Sequence, residues 1–154
     1  MSQTTTNVRK VDQTGLKVGQ ATTIILLISA FIVNSWLLVA LVAVSQLLGA
    51  LDVPFAPFRL LYKSVLRPLG VVKPRIETDN PEPHRFAMLV GAIFNTAATL
   101  FLLAGLPVVG WVLVWIVIIL ANLNFWLNIC LGCMMYYQLN RFGVPGFTAA
   151  KLAK

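Results

Sequence analysis

From Phe86 to Asn140 the chain carries no aspartate, glutamate, lysine or arginine, and the stretch from Val18 to Leu51 is equally bare of them. With 58% hydrophobic and only 11% charged residues in 154, against about a quarter charged in soluble domains, the chain is too short to hide its Leu, Ile, Val and Phe in a core. Its outer surface must face lipid. In lipid the backbone has to satisfy its own hydrogen bonds, which an α-helix does within one segment. The expected fold class is therefore an all-α membrane protein, built as one domain.

A span takes about 20 apolar residues, and the interruptions divide the blocks accordingly. Asn34-Ser35 breaks the first block into spans over residues 14–33 and 36–51, while Gly105-Leu106-Pro107 and Gly110 break the second into spans over 86–106 and 111–137. The alternative is one long tilted helix in place of the first two spans. Basic residues decide between them. Arg9, Lys10 and Lys17 precede the first span; Arg59, Lys63, Arg67, Lys73, Arg75 and Arg85 lie between the second and third; Arg141, Lys151 and Lys154 follow the fourth. With four spans, arranged as two tight hairpins, all twelve fall on one side, which the positive-inside rule assigns to the cytoplasm. The expected location is the cell inner (plasma) membrane, with both termini in the cytoplasm. The net charge of +7 is then explained by topology and anionic headgroups, so the lipid bilayer is a partner and nucleic acid is not.

The loop between spans two and three divides into two parts. In the first, Phe58, Leu61, Tyr62, Val65 and Leu66 recur with helical period, and Arg59, Lys63 and Arg67 form a basic stripe at i, i+4 and i+8. Pro57 can start this helix and Pro68 can stop it. A cytoplasmic interfacial amphipathic helix over residues 58–67 is expected, its stripe toward the phosphates. In the second part three prolines predict an extended run, with Asp79 or Asn80 capping span three and Pro81 in its first turn.

Chemistry concentrates in Asn128-Ile129-Cys130-Leu131-Gly132-Cys133, which holds both cysteines. At i and i+3 of a helix the thiols share a face and can reach each other, with Gly132 sparing the pair a crowding side chain. The pair is expected toward the C-terminal end of span four, where the helix dipole opposes a thiolate. That position balances a redox role against simple packing by small residues. His84, at the cytoplasmic end of the antiparallel span three, is placed to assist a thiolate. One histidine and two thiols are a donor short of a closed tetrahedral zinc site, so neither a metal nor a cofactor is expected. Nucleotide-binding and serine-nucleophile patterns do not occur. Inside the spans Asn95, Thr96, Thr99, Asn122, Asn124 and Asn128 should point into the bundle, with Asn122, Cys130 and Cys133 on one face and Asn124 and Asn128 on another.

Three motifs carry a family resemblance: Val11-Asp12, the run Asn80-Pro81-Glu82-Pro83-His84-Arg85-Phe86-Ala87, and Cys130-Leu131-Gly132-Cys133 followed by Tyr136. In these the chain resembles the bacterial integral-membrane family known as domain of unknown function 4395. The resemblance implies a small multi-span protein. Some members occur beside thioredoxin-like or rhodanese-like proteins, which implies Cys130 and Cys133 as candidate thiol-redox or sulfur-relay residues with such a partner. Two readings stand: a membrane thiol protein, and a non-catalytic accessory subunit of a larger membrane complex.

Overall fold

A computed structural model describes residues 9–51, 53–70, 73, 76–79 and 81–143. Its helices are α1 (Gln13–Val33), α2 (Trp36–Ala50), α3 (Pro57–Leu61), α4 (Pro81–Leu103), α5 (Pro107–Leu127) and α6 (Leu131–Arg141). Of these, α1, α4 and α5 are long and apolar enough to cross a membrane. The 15 residues of α2 rise about 22 Å at 1.5 Å each, short of a ~30 Å hydrocarbon core. Ile32 and Val108 are each 75% exposed, whereas the small residues Ala30 and Ala98 are fully buried. That inversion of the soluble pattern is what a lipid-facing bundle requires.

Both hairpins close by the same device. Asn34 takes a left-handed φ of 53°, and the N–H of Ser35 reaches back to the carbonyl of Ala30 at 2.9 Å. This six-residue closure satisfies carbonyls that end the helix. In the second hairpin Gly105 has a φ of 79°, the N–H of Leu106 reaches the Phe101 carbonyl at 2.9 Å, and Pro107 starts α5 at its first turn. Between the hairpins a core of Leu27, Ala30, Val39, Val42, Ala98, Val114, Val117 and Ile118 joins α1, α2, α4 and α5. Gly110 lets α5 approach α4, since a Cβ there would lie 2.7 Å from Leu102 Cγ.

Three expectations need correction. The helix expected over residues 111–137 is two helices: α5 ends at Leu127, Asn128 turns left-handed with φ 53°, and α6 begins after Cys130. The span expected from residue 86 starts earlier: α4 begins at Pro81, in its first turn as expected, which places His84 inside that turn. The segment expected as one interfacial helix is α3 followed by a single π-helical turn, Tyr62–Leu66. Pro57 does start it. Tyr62 is buried because its ring lies over Gly15 of α1, where a Cβ would sit 3.3 Å from ring carbon Cδ1. Phe58 and Leu66 are half-buried, Leu61 and Val65 are exposed, and so are Arg59, Lys63 and Arg67.

A short antiparallel ribbon was not anticipated. Strand β1 (Arg9–Asp12) pairs with β2 (Ile76–Asp79), Arg9 opposite Asp79 and Asp12 opposite Ile76. It ties the chain before α1 to the end of the polar loop. Of the expected cap positions Asp79 belongs to β2, and Asn80 lies outside the described residues, as do Arg75, Lys151 and Lys154.

Candidate thiol site

The break at Asn128 determines the chemistry of the cysteines. Asparagine tolerates the left-handed conformation better than other side-chain-bearing residues, and after it Cys130 is extended, with φ −90° and ψ 99°, as an N-cap residue should be. Cys130 Sγ accepts a hydrogen bond from the backbone N–H of Cys133 at 3.2 Å, the bond that a serine or aspartate oxygen makes in an ordinary cap. The Cys130 carbonyl takes the first helical bond, from the N–H of Met134 at 2.9 Å. The two cysteines are disulfide-bonded, with Cα atoms 5.1 Å apart, inside the usual range. The expected placement near a helix C-terminus is thus reversed. Cys130 and Cys133 occupy the first turn of α6, where unpaired N–H groups and the helix dipole favour a thiolate.

Helix α4 supplies the other half of the site, running antiparallel to α6. Ala87 meets Gly132 so closely that a Cβ on the glycine would lie 2.6 Å from Ala87 Cβ. Gly132 therefore serves the α4–α6 crossing rather than the cysteine pair. One turn back along α4, His84 Nδ1 lies 3.9 Å from Cys133 Sγ. Another turn out, the Tyr136 hydroxyl donates to Glu82 Oε2 at 2.5 Å, and the Phe86 and Tyr136 rings pack with centroids 5.8 Å apart. Pro-Glu-Pro-His-Arg-Phe-Ala and Cys-Leu-Gly-Cys-Met-Met-Tyr are thus two sides of one contact. The ligand atoms of His84, Cys130 and Cys133 lie within 4.8 Å of one another. They could offer a metal three donors once the disulfide is reduced, one fewer than a closed structural zinc site takes.

The family model described as domain of unknown function 4395 (DUF4395) matches residues 11–141. The chain belongs to this family. No curated protein and no solved structure matches it.

In this DUF4395 protein the thiol site opens on a cavity of about 620 Å³. It runs from Cys130 and His84 into the bundle as far as Phe94 and Val117, with Arg59, Lys63 and Arg67 among its lining residues. Of the polar residues expected to bind across the bundle, Asn95 does so: its Nδ2 donates to Gln46 Oε1 at 2.9 Å. Thr96, Thr99 and Asn122 donate instead to carbonyls one turn back on their own helices, at 2.7, 2.8 and 2.8 Å. The shared helical faces expected for Asn122 with the cysteines, and for Asn124 with Asn128, do not exist, because α5 stops at Leu127. Asn124 lines the cavity, whereas Asn128 is exposed. Gln46, Gln20, Glu82 and the hydroxyl of Tyr136 escaped the reading of single residues. The signal available for the last two was their membership in the two motifs.

Proposed function

We propose that this protein is an integral membrane thiol-redox protein that cycles Cys130 and Cys133 between disulfide and dithiol. The observation that carries the reading is the cap itself. A sulfur at the N-cap, accepting the Cys133 N–H beside His84, suits a leaving thiolate better than it suits packing. A thiolate of a thioredoxin-like or rhodanese-like partner attacks Cys133 Sγ, the S–S bond breaks, and Cys130 departs as a thiolate stabilised by that N–H and the α6 N-terminus. The partner's second thiolate then attacks its own sulfur in the mixed disulfide and expels Cys133, with His84 at hand to pass it a proton. The net result is a partner disulfide and a protein dithiol.

The membrane reading completes the proposal. The protein spans an inner membrane four times, α2 being the short span, with both termini and the Arg59, Lys63 and Arg67 segment at the cytoplasmic face against anionic headgroups. The test is trapping with a thioredoxin that lacks its resolving cysteine. A mixed disulfide on Cys133 should form with the unaltered, oxidised protein, whose Cys130–Cys133 bond the partner's thiolate opens, and none should form when both cysteines are replaced. If the unaltered, oxidised protein forms no adduct, the accessory-subunit reading takes its place.

A further inference from the structure

Reduction by a partner leaves a dithiol that must be reoxidised, and the cavity beside it has the features of a site for the oxidant. Its volume of about 620 Å³ falls in the range of about 300–1,000 Å³ usual for small-molecule sites. It is walled by helices that are apolar on their outer faces, so a membrane-dissolved molecule is the natural visitor. Glycines make the room: Gly19 lines it with only Phe58 Cβ, at 3.8 Å, near the space a side chain would take.

Two polar features define the ligand. Gln20 Oε1 on the wall is buried and has no hydrogen-bond partner, so it calls for a ligand carrying an O–H or N–H donor. Cys130 is on the wall, whereas Cys133 is not, so the reacting sulfur is the one held at the N-cap. An anionic phospholipid would suit Arg59, Lys63 and Arg67, but these residues are exposed and a phospholipid offers the thiol of Cys130 no group to reduce.

We propose that this cavity binds a membrane-diffusible quinone, with its ring against Cys130, and that the dithiol reduces it to the quinol, which the cavity holds through a hydroxyl at Gln20. The step rests on the thiol-redox reading above. The Cys130 thiolate adds to a ring carbon, forming a C–S bond, and the displaced ring electron pair moves onto one quinone oxygen, which takes up a proton. Cys133, as its thiolate, attacks Cys130 Sγ; the S–S bond forms, the C–S bond breaks, and its electron pair passes through the ring to the second oxygen, which takes up the second proton. Two thiols and one quinone become one disulfide and one quinol, whose hydroxyl is the donor that Gln20 requires.

The experiment uses the full chain in detergent and a short-tailed, water-soluble ubiquinone analogue. With oxidised protein, equilibrium dialysis of the analogue's quinol form should show saturable binding at one site. With reduced protein freed of reductant, the quinone absorbance should fall by one equivalent per chain. The double variant Cys130→Ser/Cys133→Ser should still bind saturably but reduce nothing. Gly19→Leu, which fills the space, and Gln20→Leu, which removes the acceptor, should each weaken binding at least tenfold while both thiols remain titratable. Because Gln20→Leu removes an unpaired buried acceptor, its unfolding temperature should stay level or rise, which separates lost binding from a lost fold. Three results would overturn the inference while leaving the thiol reading intact: no saturable binding, binding indifferent to both variants, or displacement of the quinone by stoichiometric phosphatidylglycerol while thioredoxin adducts still form. Loss of thioredoxin adducts themselves would overturn the thiol reading and this step with it.

Discussion

Replacing Gly132 by alanine should prise α4 from α6 and disable the thiol site without touching a cysteine. The new Cβ would stand 2.6 Å from Ala87 Cβ and 2.7 Å from Ala87 Cα. Nonbonded carbons settle at about 3.5–4.0 Å, and since Ala87 presents backbone rather than a flexible tip, the helices must part by about 1 Å. That displacement carries the 3.9 Å contact between His84 and Cys133 to about 5 Å, and the 2.5 Å bond from Tyr136 to Glu82 beyond good hydrogen-bond length, roughly 3.2 Å. Overpacking of this kind costs about 1–3 kcal/mol. Thermal unfolding in detergent reads the stability, and the iodoacetamide alkylation rate of the reduced protein reads the site. Both should change in Gly132→Ala, and Ala87→Gly in the same chain should not restore the loss, because the backbone Cα at position 87 still stands 2.7 Å from the new Cβ. A Gly132→Ala protein of unchanged stability and alkylation rate, or one that Ala87→Gly fully restores, would refute the claim that this backbone crossing builds the site.

Other consequences are independent of that crossing. A cysteine placed at Ser64 in a chain lacking Cys130 and Cys133 should resist an impermeant maleimide in intact cells and react after lysis; ready labelling in intact cells would rule out four spans. Tyr136→Phe removes the donor to Glu82 from a buried ring and should lower stability by roughly 1 kcal/mol, the exposed carboxylate taking water instead. Asn95→Ala breaks the α2–α4 bond to Gln46 and should cost about 0.6–1.7 kcal/mol, as interhelical hydrogen bonds in membranes do, measured by the same unfolding assay.

The helices were legible because their signals are local. Asn34-Ser35 and Gly105-Leu106-Pro107 announce breaks in otherwise apolar runs, and the structure turns at both, with left-handed φ at Asn34 and Gly105. The break that matters most, at Asn128, was hidden by hydropathy, because apolar residues continue through Ile129 and Leu131. Yet Asn128 repeats the first signal: like Asn34 it has φ 53°, and an extended cap follows, Cys130 in place of Ser35. Reading Asn128 as a polar residue inside a span, rather than as a helix stop, put the cysteines at the wrong end of a helix. The ribbon of Arg9–Asp12 with Ile76–Asp79 and the contact of Gly132 with Ala87 join residues far apart in the chain. Period and composition carry no information on such pairings.

The central claim is that Cys130 and Cys133 form an exchanging pair, and a redox titration of the purified protein against glutathione mixtures tests it directly. Thiols alkylated at each ratio and counted by mass spectrometry should follow a two-electron Nernst curve, with a midpoint between about −120 and −270 mV, the range of thiol–disulfide exchange proteins. A disulfide that persists below about −300 mV, as structural ones do, or thiols that fail to pair even in excess glutathione disulfide, would contradict it.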